Sequence, residues 1–238
     1  MLNRLIIWVS ENDLRDVFYN LAGQIPHIIS FPFSLWLGKK IHIPFYKSII
    51  LYWMEVYLLG YIMQFVMWMN TGFKTAGGVN IAVAFTYIPL IALLGSKLLR
   101  LPYDSVCQFM VFPPIFNYAI GRWGCVFFGC CHGYSCDWGI YNPRLDQYVF
   151  PVAVLESFVA IVLCIWMFCE IRKRKYVPDG NMLPKLLIVY GTLRFFIEFL
   201  HDNEKVLFGC SKLAFHALFM VLIGTILLTV KLRKNNIE

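Results

Sequence analysis

Residues 105–121 read SVCQFMVFPPIFNYAIG without one charged side chain, and residues 122–133 continue RWGCVFFGCCHG. The uncharged run approaches the ~20 residues that cross a ~30 Å hydrocarbon core. It ends on Arg122, inside a turn dense in glycine and cysteine. A guanidinium at bilayer depth is costly and by default marks a functional site. A membrane span that ends in a basic, cysteine-rich turn therefore sets the fold class: an all-α, polytopic helical membrane protein.

Composition agrees along the rest of the chain. Of 238 residues, 59% are hydrophobic and 15% charged, and the charges cluster between long apolar runs. Besides Ser105–Gly121, uncharged stretches cover Val17–Gly38, Val56–Phe73, Thr75–Ser96 and Leu213–Val230. Two more, Val149–Ile171 and Met182–Leu200, span if the ionisable groups inside them face protein. The count is seven spans in a single integral membrane domain, residues 1–238. Pro26, His27 and Pro32 interrupt the first, which reads either as a span or as a broken or re-entrant helix. Residues 1–16 form an amphipathic N-terminal segment, with Leu2, Leu5, Ile6, Trp8 and Val9 against Arg4, Glu11, Asp13 and Arg15, and carry no cleavable signal pattern.

Cytoplasmic loops retain Lys and Arg. One alternate set of loops holds thirteen, from Lys39 and Lys40 to Arg233 and Lys234, and the other holds seven. The expected orientation is N-terminus outside and C-terminus cytoplasmic, which places the outer loop 122–147 at the outer end of the fourth span. The net charge of +7 follows from this bias and from attraction to anionic lipid. Nucleic acid is not an expected partner, because no binding motif for it occurs. Gly121, Gly124 and Gly129 permit unusual backbone, so the turn is expected to be a re-entrant or irregular loop lining a pocket.

Other spans hold ionisable residues that point to the same place. Arg194 and Glu198 share one helix face and can pair, and Glu156 follows Pro151 near the outer end of its span. Two arginines and two carboxylates converge near the outer surface, where the planar arginine fork suits a phosphate oxyanion such as a phospholipid headgroup. Each has a plainer alternative: Arg122 snorkelling to the interface, Arg194 and Glu198 clamping two helices, Glu156 solvated at a helix end. Cys107, Cys164 and Cys169 read as packing residues. The group Cys125, Cys130, Cys131, His132 and Cys136 reads as tight packing, as a reactive thiol beside Arg122 or His132, or as a metal site. Zinc is the poorest of these fits, since no CxxC pair occurs. His132 is either a base or a structural hydrogen-bonding group.

The segment Gly121–Cys125 through Gly129–Gly133 resembles the signature loop of the prolipoprotein diacylglyceryl transferase family, in a variant in which GRxGC and GCCxG replace GRxGN and GE. Gly77 and Gly78 are similar to the family's paired glycines, Pro151–Glu156 to its HPxQLYE segment, and Tyr190–Leu200 followed by Asp202 to its YGxxRFxxEFxRxD helix. The resemblance runs from about Gly77 to the C-terminus.

It implies transfer of the diacylglyceryl group of phosphatidylglycerol to the thiol of a lipobox cysteine in a prolipoprotein, releasing glycerol phosphate, in the bacterial cytoplasmic membrane. Arg122 and Arg194 would bind and stabilise phosphate, Glu198 would orient Arg194, and His132 or a loop cysteine would supply a base. Gly121, Gly124, Gly129, Cys130, Glu156, Gly77 and Gly78 would shape the substrate site. No metal or other cofactor is implied. The alternatives are a non-catalytic phospholipid-binding or assembly membrane protein of the same fold, and a transferase with a different acceptor.

Overall fold

A computed structural model describes residues 1–70, 81–202 and 211–235. The paired glycines Gly77 and Gly78 lie outside the described residues. The chain is helical almost throughout: α1 (Leu2–Glu11), α2 (Arg15–Lys40), α3 (Phe45–Asn70), α4 (Ile81–Leu99), α5 (Tyr103–Met110), α6 (Phe112–Phe128), then a hairpin of β1 (Ser135–Asn142) and β2 (Gln147–Val149), then α7 (Val152–Lys173), α8 (Met182–Glu198) and α9 (Lys212–Asn235). Helices α2, α3, α4, α6, α7, α8 and α9 correspond in order to the seven apolar segments. Among the described residues, Phe45–Val66, Val152–Lys173 and Lys212–Arg233 are long and apolar enough to cross a membrane, and Val83–Leu99 is a shorter apolar helix.

The outer surface of the bundle is apolar where a water-soluble protein would be polar. Phe158, Ile165, Phe196, Phe219, Leu222 and Val230 are all more than half exposed. Large contiguous apolar surface of this kind needs an apolar medium, and lipid tails supply it. The chain is a membrane protein.

One local structure decides between the two sequence readings, and two others differ from the expectation. First, α2 is continuous through Pro26 and Pro32. Proline holds φ at a helical value, and the single backbone donor each one lacks is a smaller loss than the packing of α2 along α6. Second, the predicted fourth span divides at Val111, and Pro113 and Pro114 then open α6 at its first turn, where the missing donors are not needed. Third, the glycine-rich turn is not irregular from its start: Gly121–Phe128 continue α6. Gly124 is there for close approach, since a Cβ on it would meet the Ala22 side chain at 2.9 Å and the Tyr19 backbone at 3.3 Å. The helix stops at Gly129, whose φ of +73° favours glycine, and its amide caps the Cys125 carbonyl at 2.8 Å.

The segment between α6 and α7 contains the antiparallel hairpin, with Tyr141 opposite Tyr148 and Asn142 opposite Gln147. Asn142 makes its turn, accepting from the amides of Arg144 at 2.9 Å and Leu145 at 3.3 Å and donating through Nδ2 to the Gly129 carbonyl at 3.2 Å. The amphipathic α1 packs Ile6 and Val9 against Val126, Phe127 and Ala153. Its Asn3 accepts the Tyr141 amide at 3.1 Å, so α1, the hairpin and the end of α6 share one end of the molecule. At the other end, polar contacts tie the basic loops together: Lys47 to the Leu99 carbonyl at 2.7 Å, Lys231 to Asp104 at 2.7 Å, and Arg174 to Asp179 at 2.5 Å.

Candidate functional site

Helices α6 and α7 each bring one charged residue to a common centre, and α8 brings two. Arg122 comes from the last turns of α6, Glu156 from the second turn of α7, and Arg194 with Glu198 from the last turns of α8; all four are buried. Glu156 lies between the two guanidinium groups, one carboxylate oxygen paired with Arg122 Nη2 and the other with Arg194 Nη1. Arg194 Nη2 also meets Glu198 Oε2 at 2.7 Å, and Ser211 Oγ donates to the other Glu198 oxygen at 2.7 Å. Two positive and two negative charges thus neutralise one another in a medium of low dielectric, the condition under which buried charges are tolerated.

His201, which the sequence reading did not single out, belongs to this centre. Its Nε2 is 3.1 Å from Glu156 Oε1 and 3.1 Å from Arg194 Nη1. It is held there by a backbone bridge between Gly133 and His201, reinforced by the Asp202 amide donating to the His132 carbonyl at 3.3 Å. Its position one helical turn beyond Glu198 is the signal the sequence offered. His132, the predicted base, is placed differently: its ring Nδ1 is 3.3 Å from the Gly133 carbonyl, and the contacts described for it do not reach the arginines.

Burial first, and the Arg194 charge second, push the His201 imidazole down to about 4; Arg122 acts in the same direction, and Glu198 and Cys131 oppose it. A histidine lowered in the folded state takes up its proton preferentially on unfolding. Its stabilising contribution is complete above the ordinary value near 6.5 and is lost as pH falls from there through about 4. The thermal stability of detergent-solubilised protein is therefore expected to fall across this window, and His201→Gln to flatten the fall. An unchanged pH profile in the variant would show that His201 does not supply it.

The two arginines are not equivalent. Arg122 lines a cavity of about 460 Å³ between α2, α3, α4 and α6, and Arg194 does not. This volume is within the ~300–1,000 Å³ of small-molecule sites. Polar groups reach the cavity wall from three helices: His27 and Gln24 on α2, Glu55 on α3, Asn117 and Arg122 on α6. Glu55 is buried, and neither of its carboxylate oxygens has a hydrogen-bond partner among the described residues. Arg122 stands over the Tyr118 ring at 5.1 Å, and its Nε has no hydrogen-bond partner among the described residues. Gly121 lines the cavity; Gly124, packed on Ala22 and Tyr19, and Gly129, packed on Asn142 and Pro143, are not in its wall.

Beside Arg122 lie the thiols, of which Cys125 also lines the cavity. Arg122 Nη1 is 3.6 Å from Cys125 Sγ, Cys130 Sγ is 3.8 Å from Cys131 Sγ, and the three sulfurs all lie within 4.8 Å of one another. Hydrogen bonds from Cys125 and Cys130, and then the Arg122 charge, hold the Cys131 thiol well below the usual range.

The fold and site define a helical membrane protein with a cavity whose wall carries one arginine, itself held by a buried network of carboxylates and a second arginine. The chain belongs to the prolipoprotein diacylglyceryl transferase family, whose model matches residues 28–230. It is 28% identical over 123 residues to the phosphatidylglycerol–prolipoprotein diacylglyceryl transferase of Dehalococcoides mccartyi, covering 49% of this chain and 47% of that protein. It is 30% identical over 130 residues to the protein so named in Clostridium novyi, covering 50% and 48%, and 26% identical over 223 residues to that of Streptococcus suis, covering 88% and 76%. The chain spans about half the length of the first curated relatives it matches.

Proposed function

We propose that this protein transfers the diacylglyceryl group of phosphatidylglycerol to the thiol of a lipobox cysteine in a prolipoprotein, releasing glycerol phosphate. The observation that carries the reading is the placement of Arg122: a buried guanidinium in the wall of a cavity between helices, with Nε unpaired and the opposite edge fixed by Glu156. The relatives named for this transfer supply the substrates.

In the proposed reaction the acceptor thiolate attacks the glyceryl carbon bonded to phosphate oxygen. The carbon–sulfur bond forms as the carbon–oxygen bond breaks, and the electron pair leaves on the phosphate. Arg122 stabilises that charge as a preorganised donor. Arg194, Glu156 and Glu198 act through Arg122: their side chains are engaged with one another, and they hold its fork in one orientation. The unpaired Glu55 carboxyl, with His27 and Asn117, offers hydrogen bonds to the hydroxyls of the glycerol headgroup. Seven spans, with the N-terminus outside and the C-terminus cytoplasmic in the bacterial cytoplasmic membrane, place the cavity mouth and the thiols toward the outer leaflet. The concentration of Lys and Arg at the opposite end of the bundle supports that orientation.

The test is turnover by purified protein given labelled phosphatidylglycerol and a lipobox peptide. The expected result is a lipidated peptide and one glycerol phosphate per transfer, with none from a peptide carrying serine at the acceptor position. Lipid bound without product would overturn the reading in favour of a lipid-binding protein.

A further inference from the structure

The three thiols beside Arg122 are the cluster the proposed reaction does not otherwise use. In the chain their spacing argues against a metal, because no CxxC pair occurs. Folding changes that. Cys125 projects from the last turn of α6, and the left-handed Gly129 reverses the chain directly after the helix, so that Cys130 and Cys131 return to it. In a tetrahedral site with metal–sulfur bonds of ~2.3 Å the sulfurs stand about 3.8 Å apart. The Cys130 to Cys131 separation is 3.8 Å, and the third sulfur is within 4.8 Å of both. All three residues are only partly buried, and as three ligands they leave a fourth tetrahedral position to an incoming group. Three protein ligands with an open fourth position is the pattern of catalytic zinc, and sulfur-rich tetrahedral donors select zinc among the common divalent ions.

We propose that Cys125, Cys130 and Cys131 bind a zinc-class divalent cation whose open position takes the acceptor thiol, next to the arginine that holds the donor phosphate. The second half of this proposal rests on the transferase reading above, and the metal site itself does not. Three thiolates on a divalent cation carry one net negative charge, and Arg122, 3.6 Å from Cys125 Sγ, offsets it. The chemistry balances without a further reactant. The acceptor S–H loses its proton to water as sulfur binds the metal, and the metal-held thiolate forms the carbon–sulfur bond. The carbon–oxygen bond to phosphate breaks, and glycerol phosphate takes up the released proton according to its own acidity. The metal is not consumed. Two of the ligands, Cys125 and Cys130, occupy the places at which the loop variant exchanges asparagine and glutamate for cysteine. A metal-bound thiolate then does the work of a side-chain base.

The experiment is titration of the full-length chain, purified in detergent under reducing conditions, with Co²⁺ followed by Zn²⁺ competition. One equivalent of cobalt with thiolate charge-transfer absorption and intense tetrahedral bands is expected, displaced by zinc. Cys125→Ser, Cys130→Ser and Cys131→Ser should each weaken binding at least tenfold, and Cys136→Ser and Cys169→Ser should leave it unchanged. A lipobox peptide should perturb the cobalt bands, and its serine counterpart should not. Absence of binding at micromolar metal, insensitivity to the three serine variants, or a disulfide among the three thiols in the native protein would overturn the site. Cobalt binding with no response to the peptide would overturn the thiol-activation step. Metal binding with a peptide response but no product from phosphatidylglycerol would count against the transferase reading alone; full turnover after chelation would count against the metal alone.

Discussion

Glu156→Leu is expected to destabilise the protein by about 3–5 kcal/mol, the cost of breaking a buried ion pair by removing one partner. The effect is large because one carboxylate serves two guanidinium groups from two other helices. Without it, Arg122 and Arg194 remain buried with Glu198 as the only carboxylate among the four, and the centre changes from neutral to singly positive. Glu156→Gln keeps the shape and removes only the charge, so it should lose most of the same stability. Thermal unfolding in detergent measures both. A Glu156→Leu protein that melts within a degree or two of the wild type would show that the ion centre is not what holds α6, α7 and α8 together.

Arg122→Lys is expected to cut turnover by roughly 10²–10³, the scale for removing a preorganised donor at a developing negative charge. Charge is retained in this variant, so the loss isolates geometry. The arginine fork reaches Glu156 through one terminal nitrogen, Cys125 through the other, and keeps Nε unpaired. A point ammonium cannot hold both neighbours and a phosphate oxygen at once. Lipid binding should fall less than turnover, because the remaining polar wall of the cavity is untouched. Arg194→Lys should also lose activity, with a larger share of the loss in stability, since Arg194 does not line the cavity. Near wild-type turnover in folded Arg122→Lys protein would remove Arg122 from the chemistry.

The charged members of the site were legible in sequence because a charge inside an apolar run announces itself: Arg122, Arg194, Glu198 and Glu156 all interrupt hydrophobic stretches, and all four meet. The same rule hid Glu55. Counting spans from uncharged residues starts the second segment at Val56, whereas α3 begins at Phe45 and buries Glu55 within it. His201 was hidden because its place depends on a backbone bridge to Gly133, a contact between distant segments. The turn was read as irregular because its glycines signal backbone freedom, yet in Gly124 the missing side chain serves helix packing instead. The family's model extends the match back to residue 28, into the proline-containing helix that the motifs alone did not reach.

The division of one carboxylate between two arginines also bears on how the chain enters the membrane. A charge placed singly at the centre of a helix costs ~2.5–3.5 kcal/mol during insertion, and one nearer a helix end costs less. Delivered one at a time, α6 would carry Arg122 and α7 would carry Glu156 as opposite single charges, whereas α8 brings Arg194 together with its own partner Glu198. The single charges of α6 and α7 cancel when those two helices lie side by side, and the α8 pair then joins the same centre. The centre therefore favours release of α6 and α7 into lipid as a pair, and a nascent chain truncated before Glu156 should remain with the insertion machinery.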